Sequence, residues 1–297
     1  MARIAIVGVG AIGSVVAALL QQTGRHEVVL CVRRPLAGLT VETPDGPVEV
    51  RAQVVSDPAE APAVDWVMVA TKAYDVAGSA RWLETLCAQG APVAVLQNGV
   101  EHRERFAPYV PMELILPVIV DCPVERSAPG RVRQRGVMHL KVPESELGGA
   151  FVGLFAGTAA DSVAVTNFVT VAWRKLCHNA AGVLPALLLQ PSGVLRSEAV
   201  GETALQIVRE CAAVGRAEGA RLDEDVAEAV LRAYRAAPAD GVNSLHADRL
   251  AGRPMEIDAR NGVIVRLGKR HGIPTPCNQM AVALLEAMAR ERMTPED

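Results

Sequence analysis

Arg3-Ile-Ala-Ile-Val7, followed at once by Gly8-Val-Gly-Ala-Ile-Gly13, decides the fold of the N-terminal half. Ile4 to Val7 are apolar at successive positions, so both faces of the segment are hydrophobic, as in a strand buried within a parallel sheet. Ser14 to Gln22 suits a helix, and Glu27 to Val32 is a second apolar strand ending at Arg33-Arg34. Strand, tight glycine turn, helix and strand make one βαβ unit. The G-x-G-x-x-G spacing alone is weak, because glycines also serve turns and helix packing. The strand before it and the helix after it supply the context the motif requires.

In such a turn Gly8 permits the bend, Gly10 admits a diphosphate and Gly13 brings helix and strand together. Val9, Ala11 and Ile12 complete the turn at the helix N-terminus, where free amides and the helix dipole favour an anion. An acidic residue after the second strand would accept from the ribose of NAD(H), but none is there. Arg33 and Arg34 stand at that point instead. A guanidinium binds a phosphate in bidentate fashion, which favours NADP(H) over NAD(H). The plain alternative is a solvated arginine pair at a strand end.

Outward from this unit, Leu39 to Thr43 and Val48 to Ala52 flank Asp45-Gly46 and read as a hairpin. Trp66 to Ala70 is a further buried strand ending in Thr71-Lys72, and a helix follows over Val76 to Ala88. Pro92 to Leu96 is a strand ending in Gln97-Asn98-Gly99. The order predicts a doubly wound parallel sheet with polar residues at the strand C-termini, the edge where such sheets bind ligands. Leu114 to Val142 holds two or three strands around Pro129-Gly130. Glu146 to Phe155 reads as a helix and Ser162 to Val165 as a strand.

From Asn167 the pattern turns helical. Helices are expected over Phe168 to Leu189, Glu198 to Glu218, Leu222 to Ala236, Met255 to His271 and Cys277 to Met293, with Thr294 to Asp297 frayed. Asp223, Glu224 and Asp225 fall in the first turn of the third helix, where they complement its dipole. The reading is therefore α/β: a Rossmann-like dinucleotide-binding domain over residues 1–166 and an all-helical domain over 167–297.

Composition agrees. The 297 residues suit two domains. With 30 Lys plus Arg against 33 Asp plus Glu, the net charge is -3, the wrong sign for a nucleic-acid or anionic-membrane binder. At 50% hydrophobic and 21% charged residues the chain is not disordered, and 3% aromatics leave few stacking platforms for bases. The six cysteines form no CxxC pair and read as small hydrophobes in a reducing compartment. With no secretory leader and no apolar run of about 18 residues, a cytoplasmic location is expected. No metal site is implied.

Several side chains could carry chemistry. Lys72 and Asn98 follow two successive strands; a surface charge and a turn former are the bland readings. Beside the glycine turn, Lys72 could attract a carboxylate and Asn98 could orient a nicotinamide or substrate. Lys175 lies in an otherwise apolar helix, with Asn179 one turn on and on the same face. A partly buried lysine has a lowered pKa, which suits it to protonate a carbonyl oxygen, though its stem could simply lie buried with its head in water. Among Ser244, Asp248, Glu256 and Asp258, one or two are expected as helix caps. Glu256, between Met255 and Ile257, is a candidate partner for Lys175. His178, His246 and His271 read as structural.

Together with Gly8–Gly13, Arg33, Thr71-Lys72 and Leu96-Gln-Asn-Gly99, four C-terminal stretches carry a resemblance. They are Trp173-Arg-Lys-Leu-Cys-His-Asn179, Asn243-Ser244 through Asp248, Glu256-Ile-Asp258 with Asn261-Gly262, and His271-Gly-Ile-Pro-Thr-Pro276. The chain resembles the ketopantoate reductase (2-dehydropantoate 2-reductase) family nearly end to end. The resemblance implies Lys175 as catalytic lysine and Glu256 as its acidic partner, with Glu256 also near the cofactor. It implies substrate contacts from Asn98, Asn179 and Ser244. It places Lys72 and Asn98 near both cofactor and substrate, Arg33 on the 2'-phosphate of NADP(H), and allows a homodimer. The implied reaction is reduction of ketopantoate to (R)-pantoate in a cleft between the domains. One position departs: the family commonly has a second substrate asparagine where this chain has Val183. An apolar side chain cannot bind the ketopantoate hydroxyl, so a reductase of another small 2-oxo acid is the enzyme alternative. A noncatalytic NADP(H) sensor is the alternative outside catalysis.

Overall fold

The structure, a computed structural model, describes residues 1–291 and divides into two compact units, Met1–Phe168 and Val169 onward. The expected fraying of Thr294 to Asp297, and the last two residues of the expected Cys277–Met293 helix, lie outside the described residues.

The first unit runs β1 (Ala2–Val7), α1 (Ala11–Gln22), β2 (His26–Cys31), β3 (Thr40–Thr43), β4 (Gly46–Glu49), β5 (Gln53–Val55) and β6 (Trp66–Val69). It continues through α2 (Val76–Leu86), β7 (Val93–Val95), α3 (His102–Phe106), β8 (Ile115–Pro117), β9 (Ile119–Asp121), β10 (Val124–Ala128), β11 (Arg131–Gln134) and β12 (His139–Pro143). It closes with α4 (Glu146–Leu154) and β13 (Asp161–Val165). Six strands form one sheet in the order β5-β2-β1-β6-β7-β8, with every pairing parallel. This is the dinucleotide-binding order, reversing direction between β1 and β6. Alternate residues feed opposite cores. Ile4, Ile6, Val28, Leu30 and Met68 pack on the side of α1 and α4. Ala5, Val7, Val29, Val67 and Val69 pack on the side of α2 and α3.

The register aligns the strand ends. Val7 pairs with Cys31 on one side and Val69 on the other, and Val69 pairs with Val95. Gly8, Arg33, Lys72 and Asn98 each follow one of these ends within three residues, so one sheet edge gathers all four.

The expected hairpin forms as β3 and β4, with Thr43 opposite Gly46, but its second strand is Gly46–Glu49 rather than Val48–Ala52, because the turn is tight and pairing begins at Gly46 itself. It also joins a second sheet, β10-β11-β3-β4, through a parallel pairing of β3 with β11. Leu114 to Val142 supplies five short strands rather than two or three, shared among three sheets.

The second unit is helical: α5 (Phe168–Ala181), α6 (Val183–Leu188), α7 (Glu198–Ala217), α8 (Val226–Ala236), α9 (Ser244–Leu250), α10 (Val263–His271) and α11 (Pro276–Glu291). The apolar face of α7, including Ile207, Val208, Cys211 and Val214, is buried. Gly215 on α7 admits Trp173 of α5: a Cβ there would stand 2.8 Å from the indole ring. Three expected helices change. Phe168–Leu189 breaks at Gly182, ahead of Pro185, which lacks the N–H that a continuous helix needs there. Met255–His271 opens as a loop, then a π-helical turn over Asp258–Gly262, before α10 begins. Asp223 to Asp225 precede α8 instead of filling its first turn. Asp223 pairs with Arg174 and Asp225 with Arg232. No helix among the described residues is long and apolar enough to cross a membrane.

Candidate functional site

In the first unit the site is made of main chain. Gly8 has φ +96, and a Cβ on it would stand 2.7 Å from both the Thr71 Cγ2 and the Thr71 nitrogen. A Cβ on Gly13 would collide with the Gly8 carbonyl oxygen. The fold itself therefore requires these two glycines. Gly10 differs: beyond its chain neighbours and its own helix backbone, the one described atom within 4 Å of its Cβ position is Arg126 Nη2, at 3.9 Å. No described residue needs a glycine there, and the open space is what a diphosphate would fill. Gly10 is also the N-cap of α1, which has no side-chain cap and no acidic residue in its first turn. The first amides of α1 are thus left for an external anion. The residues present fit a dinucleotide.

Around this turn, Arg33 follows β2, 80% exposed at its side chain, and its Nη1 lies 3.2 Å from Asp75 Oδ2. Lys72 is the N-cap of a short 3-10 turn over Ala73–Asp75 and is half-buried. Gln97 Nε2 donates to Thr71 Oγ1 at 3.0 Å and to the Lys72 carbonyl at 3.3 Å, tying the β6 and β7 ends together. Asn98 beside it is half-buried. His102 Nε2 lies 2.8 Å from the Gln97 carbonyl oxygen, and burial pushes the pKa of His102 down. Asp75 and Gln97 escaped the sequence reading because their roles lie in pairing across strands.

In the second unit the site is made of side chains. Lys175 and Asn179 lie one turn apart on α5, both half-buried. A helix ends with carbonyls that lack intrahelical partners. Here they are met one after another. Tyr234 Oη donates to the His178 carbonyl at 3.1 Å, Arg260 Nη2 donates to that of Asn179, and Asn261 Nδ2 donates to that of Ala180 at 3.2 Å. Asn243 Nδ2 donates to that of Gly182 at 2.9 Å. Tyr234 also stacks on His178 with ring centroids 4.4 Å apart, and burial pushes its pKa to about 12.

These bonds bring three separated stretches to the end of α5. Asn243 caps α9 by accepting from the His246 amide, which sets the exposed Ser244 at the first position of that helix. Glu256, only 5% exposed, lies on the loop ahead of the π turn rather than in the expected helix. Arg260 is 2% exposed; burial pushes its pKa down, and the nearby Tyr234, Glu256 and Asp248 oppose that shift. Behind the turn, Asn261 donates to Asn278 Oδ1 at 2.9 Å, and Asn278 Nδ2 donates to Glu210 Oε2 at 2.7 Å. Asp248 is committed to Arg253, 2.9 Å away, and Asp258 to Arg266. His271 lies 2.5 Å from Glu218. Val183, where the asparagine was missing, is fully buried. Sequence reasoning missed Tyr234 and Arg260, whose only signal was a polar or charged residue inside an amphipathic pattern. No group of three or more His, Cys, Asp or Glu side chains among the described residues could hold a metal ion.

Known proteins share this layout. The family described as "Ketopantoate reductase PanE/ApbA" matches residues 4–146, and its C-terminal counterpart matches residues 167–289. A 2-dehydropantoate 2-reductase of Caulobacter vibrioides is 49% identical over 97% of this chain and 100% of its own. One from Mycobacterium tuberculosis is 43% identical over 96% of this chain and 97% of its own. The crystal structure of a PanE/ApbA family ketopantoate reductase from Ralstonia eutropha JMP134 superposes with a TM-score of 0.90 at 32% identity, covering 98% of this chain and 100% of that one. The chain belongs to the ketopantoate reductase family.

Proposed function

We propose that the protein reduces 2-dehydropantoate to (R)-pantoate with NADPH. The observation that carries this reading is the pairing of Lys175 and Asn179 on one face of α5, in a chain related end to end to 2-dehydropantoate 2-reductases. Bound NADPH supplies the hydride. Gly8 to Gly13 and the amides opening α1 hold its diphosphate, and Arg33 receives the 2'-phosphate that NADH lacks. Lys72 and Asn98, at the same sheet edge, orient cofactor and substrate.

The second unit's residues handle the charge that develops on substrate. The Lys175 ammonium polarises the keto oxygen, stabilises the forming alkoxide and gives it a proton. Glu256 serves as its acidic partner and also contacts the cofactor. Asn179 and Ser244 hold substrate oxygens. One hydride and one proton convert the ketone to the secondary alcohol.

Val183 supports a second reading. Its buried, apolar side chain leaves one fewer group to bind a substrate hydroxyl, so a 2-oxo acid without that hydroxyl becomes a competitor. An NADPH-oxidation screen across ketopantoate and hydroxyl-free 2-oxo acids separates the two. The highest kcat/KM on ketopantoate supports the first reading. Negligible turnover of ketopantoate with rapid turnover of another acid replaces it with the second.

A further inference from the structure

We propose that Arg126 is a further cofactor-binding residue, its guanidinium gripping the diphosphate linker common to NADPH and NADH. The proposal rests on the cofactor reading above and adds a residue that no motif marks. Arg126 lies on β10, at the edge of the four-stranded sheet. There Arg126 pairs with Val132 and Ala128 with Arg131, so Ser127 is an extra residue: a β-bulge. Bulges re-aim side chains beside active sites. The Arg126 guanidinium is brought over the glycine turn, with Nη2 3.9 Å from where a Cβ on Gly10 would stand.

Its charge is also uncommitted. On the adjoining strand Arg133 Nε lies 2.7 Å from Glu42, and just beyond it Arg135 Nη2 lies 2.6 Å from Glu125. Arg126 is exposed, and its side chain makes no ion pair or hydrogen bond with any described residue. An uncommitted guanidinium thus stands over the one glycine of the turn that the fold does not require. The uncapped N-terminus of α1 begins at the same point, so both positive features address one anion. Arg33 sits apart from this point, after β2 and against Asp75. The two arginines therefore divide the work: Arg33 reads the 2'-phosphate, and Arg126 binds what both cofactors share.

The test is the dissociation constant of each cofactor, measured by titration calorimetry on the substrate-free protein. Arg126→Ala is expected to weaken NADPH and NADH equally, by about tenfold to a hundredfold, the range of a lost charge-assisted contact. Arg126→Lys should recover part of the loss for both. The melting temperature should not move, since the Arg126 side chain has no partner among the described residues to lose. Constants within twofold of wild type for both cofactors overturn the proposal. So does a loss confined to NADPH, which would place Arg126 on the 2'-phosphate. Arg33→Ala run alongside should weaken NADPH alone. If the unaltered protein binds neither cofactor, the cofactor reading itself fails and this proposal with it.

Discussion

The glycine turn and the end of α5 both present polar groups to a ligand, but they are built by opposite means. At the glycine turn the donors are backbone amides, and the shape is set within six consecutive residues. At the end of α5 the helix carbonyls are tied to side chains 56 and 81 residues further along the chain, and the Gly182 carbonyl just beyond to one 61 residues on. A site made of main chain is specified locally, by where a Cβ cannot go. A site braced by side chains is specified by tertiary packing, and each brace is a buried polar group that costs stability if its partner is lost. The first should tolerate distant mutations and fail on single added carbons. The second should fail one brace at a time.

The largest effect is expected at Lys175. Lys175→Ala should lower kcat by about a hundredfold to ten-thousandfold, the usual contribution of a general acid. NADPH affinity should stay within about twofold, because a group acting on the developing alkoxide contributes little to cofactor binding. Single-turnover kinetics beside a cofactor titration check this. Unchanged turnover would remove Lys175 from the proposed role and leave α5 a structural helix.

The glycines give the sharpest contrast within one motif. Gly13→Ala forces a methyl against the Gly8 carbonyl oxygen, so the turn must move, at a cost of about 1–3 kcal/mol. Its melting temperature should drop, and cofactor affinity with it. Gly10→Ala meets only the tip of Arg126, so the fold should be unaffected. Cofactor affinity should nevertheless fall by about tenfold or more, since the methyl fills the space the diphosphate needs. Thermal melts and cofactor titrations of the two variants test the distinction. If Gly10→Ala binds cofactor normally, the open space above that residue is not the diphosphate cradle.

This contrast also explains what was legible. The order of the parallel strands, the glycine turn and the cation at the β2 end could be read because hydrophobic period and local spacing fix them. β5 and the second sheet could not, because β3 finds its parallel partner in β11, some 90 residues away, which no local pattern reveals. The apolar run from Phe168 to Leu189 predicts one helix, but Pro185 cannot supply the N–H it needs, so α5 ends at Ala181, where the His178, Asn179 and Ala180 carbonyls meet their braces. Lys175, Asn179, Ser244 and Glu256 were visible as residues. The machinery that holds them was not: Arg260, Tyr234 and Asn278 carry no distinctive signal of their own, Asn261 was visible only as part of a matching stretch, and their roles exist only across packed elements.

Asn278 is the brace that reaches furthest back. It is fully buried and donates to both Glu210 and the Ile207 carbonyl while accepting from Asn261. Asn278→Ala removes those three side-chain bonds; Glu210 keeps the Cys277 and Asn278 backbone amides, so the cost should be about 1–3 kcal/mol in all. Chemical denaturation should show the loss. Because Asn261 also donates to the Ala180 carbonyl, KM for the 2-oxo acid should rise more than the Kd of the cofactor. Equal changes in both would mean that the network holds the fold without positioning α5.

The smallest effect is expected where the first site does rely on a side-chain pair. Asp75 holds Arg33 at 3.2 Å, yet that arginine is 80% exposed, so the pair is worth only about 0.2–1 kcal/mol. A 2'-phosphate must compete with the Asp75 carboxylate for the same guanidinium. Asp75→Asn removes the competing charge and keeps the shape, so NADPH should bind about one-and-a-half to fivefold more tightly, the same energy read as an affinity. NADH, with no phosphate to bring to Arg33, should gain nothing, and the ratio of the two constants should move by that factor. The gain should shrink at high salt, because exposed charges about a Debye length or more apart are screened and close pairs are weakened. In an Arg33→Ala background the same substitution should no longer favour NADPH, since the shared guanidinium is gone. If the gain persists there, Asp75 acts on the cofactor directly and the pair with Arg33 is incidental to selectivity.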